Sequence, residues 1–389
     1  MSRRTGVISE MRILMSAYLD NNLGDDLFVD LLARRYRDHE IHLIRDGRVT
    51  LNVDLQRHAN LHTVTLKRAL LELYSFDALV IVGGSIFQDI PAYYRYDLRR
   101  NALVTLARLL GKAVFIIGCN IGPIHSRKGK RFTRYCIARA NAISVRDSAS
   151  LAFLESWQCR TPHTMGSDLI FSYPFQPAGR SSSRPRRLGI SVVNVNRPAA
   201  EIASYIEKLA ELAEAHLSKG AEQEVTFFGF NGGGNGQNDS VPTAAIVQRL
   251  AGYTRQITLQ QYGPSVPIAE FLGSFGSCHT LVCSRFHSVV LALSFGIPFF
   301  PIVYSDKTLN LLHDIGYAGP VAHYLAMNEL DVQATLGDLV RPAGATSFSP
   351  AYIESSRKHF VALDDFICGG SRCGGSDADL GTSVSQRQC

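Results

Sequence analysis

His279-Thr280-Leu281-Val282-Cys283-Ser284-Arg285-Phe286-His287 runs from a predicted strand, His279 to Cys283, into a predicted helix, Ser288 to Phe295. A strand that passes directly into a helix is the repeating unit of α/β folds. A guanidinium and an imidazole converge where the helix begins. Free backbone N–H groups and the positive end of the helix dipole favour an anion there, and Arg285 adds a fork suited to phosphate or carboxylate. His287 could supply a proton or a further contact. Taken alone, a surface ion pair for Arg285 and a capping role for His287 would explain the segment equally well.

The same pattern extends in both directions. Gly296-Ile297-Pro298 leads into a strand from Phe299 to Tyr304. Upstream lie a strand from Leu188 to Val193, an amphipathic helix from Ala199 to Leu217, a strand from Glu224 to Gly229, a helix from Thr243 to Ala251 and a strand from Gln256 to Leu259. Before them, Gln176 to Arg187 is rich in Pro, Ser and Arg and almost free of apolar residues, which marks a linker. The first half opens with a strand from Arg12 to Ala17, a loop from Tyr18 to Asp26 and a helix from Leu27 to Tyr36. Strands from Ala78 to Val82 and Ala113 to Ile117 run into glycine turns, and Ala142 to Val145 precedes a helix for which Ser148 reads as the N-cap. The fold class expected is α/β, with two doubly wound Rossmann-like domains facing a cleft. The boundaries are 1–178 and 188–367, joined by a linker at 179–187, with 368–389 as a disordered tail.

A chain of 389 residues is too long for one ordinary core and suits two domains. Its net charge of +6 implies a mildly basic surface able to attract anionic metabolites, acidic glycans or phospholipid headgroups. Nucleic acid is not expected. The basic clusters, Arg95 to Arg100, Arg127 to Arg134 and Arg184 to Arg187, are scattered and lack the aromatic interleaving of a single-strand binder. Eight spread cysteines suggest reduced thiols, and Cys368 with Cys373 makes a poor zinc site, so neither metal nor cofactor is expected. Met1 to Glu10 carries two arginines with no apolar region after them, unlike a signal peptide. The uncharged run Ser288 to Tyr304 is too short to span a bilayer and is interrupted by Gly296-Ile297-Pro298. A cytoplasmic protein is expected, with the inner face of the membrane as a place of peripheral contact through basic residues. Asn231-Gly232-Gly233-Gly234-Asn235-Gly236 lacks the lysine and hydroxyl of a P-loop and reads as a flexible loop.

Other candidate residues sit at the ends of strands, where ligands collect in open α/β sheets. Asn21-Asn22-Leu23-Gly24-Asp25-Asp26 offers two carboxylates to orient or deprotonate a hydroxyl, although both would also suit the first turn of a helix. Gly83-Gly84-Ser85-Ile86-Phe87-Gln88-Asp89 lets backbone amides approach a ligand, or simply turns tightly with Asp89 in solvent. Arg146 emerges after a buried strand, either toward the ligand edge or paired with Asp147. Asp168 is a loop cap or a site residue.

Taken in order, these segments resemble the polysaccharide pyruvyl transferase family. The resemblance rests on Asn22-Leu23-Gly24-Asp25-Asp26, Gly83-Gly84-Ser85 with Gln88-Asp89, Gly118 with Ile121-Gly122-Pro123, Val145-Arg146-Asp147, Asp168, and Arg285-Phe286-His287 with Gly296-Ile297-Pro298. It covers about residues 11 to 317. It implies a two-domain, GT-B-like fold and transfer of pyruvyl from phosphoenolpyruvate to a sugar of a surface polysaccharide as a cyclic ketal. The partners implied are phosphoenolpyruvate and a glycan or lipid-linked saccharide acceptor. Three positions depart from the pattern: two glycines follow Val82 where three are common, Phe286 stands where leucine is common, and Asn120 interrupts a glycine-rich stretch.

Phosphoenolpyruvate carries a phosphate and a carboxylate, so its site needs at least two cationic contacts. Arg285 and Arg146 are expected to supply one from each side, with Phe286 and His287 beside them on the donor side. Phe286 is expected to pack inward. His287, if protonated, is the candidate general acid, with a neutral contact to phosphate as the alternative. Asp25 or Asp26 is the candidate for holding or deprotonating the acceptor hydroxyl. Asn22, Gly24, Gly83, Gly84, Ser85, Asp89 and Asp168 are expected to line the cleft or meet the acceptor. Two other functions fit the residues: a nucleotide-sugar glycosyltransferase with Arg285 on a diphosphate, and a non-catalytic anion-binding component of glycan assembly.

Overall fold

The computed structural model describes residues 10–45, 49–89, 94–175, 186–233, 237–340 and 349–369. Most of the expected linker, the second half of the glycine-rich loop and the tail from residue 370 lie outside them. Seven parallel strands form the first sheet: β1 (Arg12–Ala17), β2 (Glu40–Ile44), β3 (Leu61–Val64), β4 (Ala78–Val82), β5 (Ala113–Cys119), β6 (Ala142–Val145) and β7 (His163–Met165). Their order is β3-β2-β1-β4-β5-β6-β7. The second sheet comprises β8 (Arg186–Val192), β9 (Gln223–Gly229), β10 (Ile257–Gln261), β11 (Thr280–Cys283), β12 (Phe299–Val303) and β13 (Ala322–His323), in the order β10-β9-β8-β11-β12-β13.

Burial on both faces explains why some strands announce themselves and others do not. Every residue of Ala78–Val82 and Ala113–Cys119 is buried, as parallel strands covered by helices require, so each reads as an unbroken apolar run. Glu40–Ile44 and Leu61–Val64, toward one edge, mix buried and exposed positions and carry His42 and His62, which hides them from a search for such runs.

In each sheet the chain reverses its direction of travel once, between β1 and β4 and again between β8 and β11. Ligands bind outside the carboxyl ends of strands at such switch points. Register fixes which residues stand there. Met15 lies opposite Leu43 and Val80, and Cys283 lies opposite Ser191 and Pro301.

The helix expected from Leu27 begins instead at Leu23 and runs to Arg35. Asn22 caps it, its side-chain oxygen accepting from the Gly24 N–H at 3.0 Å, a contact that apolar spacing does not reveal. Asp25 and Asp26 therefore stand in the first helical turn rather than in a loop.

The two halves share a core and hydrogen bonds. Leu23, Leu27 and Phe28 belong to one apolar cluster with Phe230, Tyr262 and Phe286. The Leu23 N–H donates to the Phe230 carbonyl and the Gly232 N–H to the Asn21 carbonyl, each at 3.0 Å. The final helices, Pro350–Arg357 and Val361–Ile367, return to the first half. There Ser356 Oγ donates to the Leu169 carbonyl at 3.1 Å and Arg35 pairs with Asp364. Both helices fall within the expected 188–367 segment and pack on the first half. Among the described residues no helix is long and apolar enough to cross a membrane.

Candidate active site

Loops at the carboxyl ends of β1, β4, β5, β6, β8, β11 and β12 open on one cleft of about 1550 Å³. Arg285 is the N-cap residue of the helix Phe286–Phe295, at the expected place, but its guanidinium is already engaged. Its Nε donates to Asp239 Oδ2 at 3.0 Å and its Nη2 to Asp239 Oδ1 and, at 3.1 Å, to the Gln237 carbonyl. Asp239 is fully buried and also accepts the backbone N–H groups of Asn194, Phe230 and Asn231, each at 2.9 Å. This pair ties the ends of three strands together at the cleft.

Arg146 leaves β6 and is 6% exposed. Its Nη1 donates to Asp168 Oδ2 at 2.7 Å and its Nη2 to Asn120 Oδ1 at 2.9 Å, while its buried Nε has no partner among the described residues. Burial alone would raise the Asp168 carboxyl, but Arg146, and then His287, outweigh it and hold it below the ordinary value. The pairing with Asp147 considered above does not form. Asp147 instead accepts from the Ser150 N–H at 2.7 Å and is itself the N-cap of the helix Ser148–Ser156, displacing Ser148 from that role. Gly84 is needed beside this cluster, since a Cβ there would lie 2.6 Å from Arg146 Nη2. Ser85 Oγ completes it by donating to Asn120 Oδ1 at 3.2 Å.

Phe286 packs inward as expected and is 5% exposed, yet its ring also borders the cleft and underlies two cations. The Arg146 guanidinium carbon sits 4.3 Å from its centroid and Lys307 Nζ 5.7 Å from it. A ring carries negative charge on its face, so it holds both cations in place without neutralising either. Lys307 stands just after β12, in the first turn of the helix Asp306–Asp314. No carboxylate among the described residues forms an ion pair with it, and it hydrogen-bonds the hydroxyl of the half-buried Tyr304. Burial raises Tyr304, but Lys307 and Arg285 outweigh it and bring the phenol below its ordinary value.

His287 packs edge-on against Phe28, centroids 5.4 Å apart, and against Gly24. A Cβ on Gly24 would fall 1.7 Å from His287 Nδ1, so the first helix can carry only glycine at that turn. His287 Nε2 is buried without a partner among the described residues. Burial, then Arg146, Lys307 and Arg285, lower the imidazole to about 3 against the opposing pull of Asp168. The surrounding protein groups thus favour neutral imidazole, the alternative named above, over the protonated form that a general acid needs.

The structure separates the two acidic candidates. Asp25 lines the cleft, and its carboxyl is raised to about 7 by burial and the neighbouring Asp26, with Lys307 and Arg146 opposing. Asp26 turns inward, accepts from Tyr262 Oη at 2.7 Å across the two halves, and is also raised to about 7, chiefly by burial. Asn22 lines the cleft while capping the helix. Gly83 ends β4 behind the lining, and Asp168 stands one shell back behind Arg146. Asp89 does not line the cleft. It accepts from the N–H groups of His125 and Ser126 at 2.9 and 2.6 Å and from Ser126 Oγ at 2.6 Å, so it is a loop anchor. Those bonds lower it to about 2.

The family described as polysaccharide pyruvyl transferase matches residues 22–306. The chain belongs to that family. It is 25% identical over 263 residues to the amylovoran biosynthesis protein AmsJ of Erwinia amylovora, a match covering 63% of this chain and 61% of the relative. The chain therefore spans about three fifths of the length of that curated relative. Its fold is shared with the UDP-GlcNAc 2-epimerase of Methanocaldococcus jannaschii, at 9% identity and a TM-score of 0.59 over 92% of this chain and 99% of the other. The UDP-GlcNAc 2-epimerase of Neisseria meningitidis aligns at 10% identity and a TM-score of 0.56, over 92% and 100%. Two Rossmann-like domains in a GT-B-like arrangement are thus common to all three.

Within this family member the sequence reading missed Asp239 and Lys307. Lys307 follows a strand in Tyr304-Ser305-Asp306-Lys307, so the strand-end rule that found Arg146 would have found it. Asp239 follows a glycine-rich loop and has no comparable signal. Among the described residues no His, Cys, Asp and Glu cluster could hold a metal ion.

Proposed function

We propose that the protein transfers the pyruvyl group of phosphoenolpyruvate to a saccharide during exopolysaccharide assembly, closing a cyclic ketal and releasing phosphate. The observation that carries this reading is the convergence, around one aromatic ring, of two cationic side chains with unfilled capacity and one unpartnered imidazole nitrogen. A small dianionic or trianionic donor suits that set. Lys307 and the free Nε of Arg146 take its phosphate and carboxylate, while Arg285 shapes the loop through Asp239.

The donor's negative charge, brought to His287, raises the imidazole toward the working range, because opposite charge favours the protonated form. His287 then gives a proton to the methylene carbon. A sugar hydroxyl forms a bond to the adjacent carbon and its proton passes to Asp25, whose pKa of about 7 suits a base at neutral pH. The carbon–oxygen bond to phosphate breaks, phosphate leaves with its electron pair, and the second hydroxyl closes the ring as it loses its proton. One proton remains on the new methyl group and the other departs with phosphate. The acceptor is a glycan or a lipid-linked saccharide held on the first-domain side near Asn22 and Ser85.

Supplying the purified protein with phosphoenolpyruvate and candidate acceptors, then assaying phosphate and acid-labile ketal together, tests the reading. One phosphate for each ketal is expected. Consumption of a nucleotide sugar instead would establish the glycosyltransferase alternative. Tight phosphoenolpyruvate binding with no ketal on saccharides extracted from the producing cell would favour a non-catalytic role.

A further inference from the structure

A strongly basic face adjoins the cleft. The helix Arg127–Ile137 buries Gly129, Thr133, Cys136 and Ile137 along one stripe and exposes Arg127, Lys128, Lys130, Arg131 and Arg134 on the other. It carries no acidic residue. Among the described residues none of these five cations forms an ion pair with a carboxylate. Cation–π contacts hold two of them, Lys128 Nζ lying 4.6 Å from the Tyr94 ring and the Arg134 guanidinium 4.9 Å from Trp157. A shallow depression runs among Arg127, Lys130, Arg131, Arg134 and Tyr135.

Alongside lies the helix Tyr94–Leu109, joined to the first by a hydrogen bond from Asn101 Nδ2 to the Phe132 carbonyl at 3.2 Å and by Thr105 Oγ1 with Tyr135 Oη at 2.9 Å. This second helix exposes Leu98, at 53%, on the row that carries Asn101 and Thr105 toward the basic helix, whose own Tyr135 is 37% exposed, while Tyr96, two residues from Leu98 and 62% exposed, turns to the other side and borders the cleft. Asp89 ties the basic helix to the cleft. It binds the N-cap residue Ser126 of the basic helix from the loop whose Gln88 and Ser85 line the cleft.

We propose that this face docks on an anionic phospholipid surface and so presents the cleft to a membrane-held acceptor. Unpaired cations beside exposed apolar and aromatic side chains match the headgroup layer, where each basic residue adds attraction and tyrosine prefers the interface. A polyanionic nucleic acid is a poorer fit, since the aromatic rings packed under Lys128 and Arg134 are not free to stack on bases. The proposal concerns where the enzyme works and does not depend on which donor it uses.

Co-sedimentation of the full chain with vesicles tests it. Binding to vesicles of phosphatidylcholine with one quarter phosphatidylglycerol is expected, with little binding to phosphatidylcholine alone and release by high salt. The triple variant Lys130→Glu, Arg131→Glu, Arg134→Glu should lose binding by roughly 100-fold or more, and its thermal transition should match that of the parent. Transfer to a soluble acceptor should be unaffected. A neutral triple variant to Gln should bind with intermediate strength. Equal binding to both vesicle types, no binding to either, or full retention of binding by the charge-reversed protein would overturn the proposal.

Discussion

Arg285 Nε donates to Asp239 Oδ2 at 3.0 Å, and the carboxylate it meets is fully buried and already holds three backbone amides. The residue that first marks the site in the sequence is therefore a structural pin for the cleft. Removing it leaves an unpaired buried charge, which costs roughly 3–5 kcal/mol. Arg285→Ala is expected to lose stability by about that amount, and Arg285→Ala with Asp239→Ala far less than the sum of the two single changes. Chemical denaturation of the three variants checks this. Additive losses would show that the pair is not coupled.

Lys307 should behave in the opposite way. It makes no ion pair among the described residues and faces the cleft over Phe286, so Lys307→Ala is expected to leave the thermal transition nearly unchanged. Losing a hydrogen bond to a charged group is worth about 1.5–3 kcal/mol, which raises the KM for phosphoenolpyruvate roughly 10- to 150-fold. Steady-state kinetics of the Ala and Arg variants, the latter partly restored, decide the point.

Two glycines fix the geometry of the reactive groups. A methyl on Gly24 would overlap His287 Nδ1 at 1.7 Å, and one on Gly84 would press on the Arg146 guanidinium at 2.6 Å. Gly24→Ala should cost about 1–3 kcal/mol as the ring is forced aside, and should reduce kcat severely. Gly84→Ala should act more on KM, because the group it displaces is the Arg146 guanidinium proposed to hold the donor. Kinetics with a parallel melting curve separates the two effects.

Asp25 carries a signature in pH. Its folded pKa, raised to about 7 from an ordinary 3.8, means the folded chain retains a proton that the unfolded chain releases. Its contribution to stability is therefore complete below about pH 4 and lost as pH rises through 7. Asp25→Asn removes that loss, so the variant should gain on the parent between pH 5 and 8 while losing transfer activity. At 1.36 kcal/mol per unit the gain is at most roughly 4 kcal/mol. A melting-temperature difference independent of pH over this range would contradict the assignment.

Much of this arrangement is legible in the sequence, for identifiable reasons. The central strands are buried on both faces and read as apolar runs, and their glycine or charged ends fall at or beside the switch points where the cleft forms. Glu40–Ile44, one strand in from the edge, alternates buried and half-buried positions and escapes notice. What the sequence does not display is partnership. Arg285 with Asp239 is an ion pair across 46 positions, and Arg146 with Asp168 one across 22. Without those partners Arg285 looks like a free anion receptor. Burial is hidden in the same way, so the lowered imidazole of His287 and the raised carboxyl of Asp25 emerge only once the helix Leu23–Arg35 is seen packed against the second domain.

The central claim is that phosphoenolpyruvate is the donor and is held by Lys307 with Arg146. Calorimetric titration of phosphoenolpyruvate into the parent and into Lys307→Ala tests it most directly. The account predicts binding to the parent, strongly weakened in the variant, with no heat from a nucleoside diphosphate. Equal affinity in both proteins, or binding of the nucleoside diphosphate alone, would contradict it.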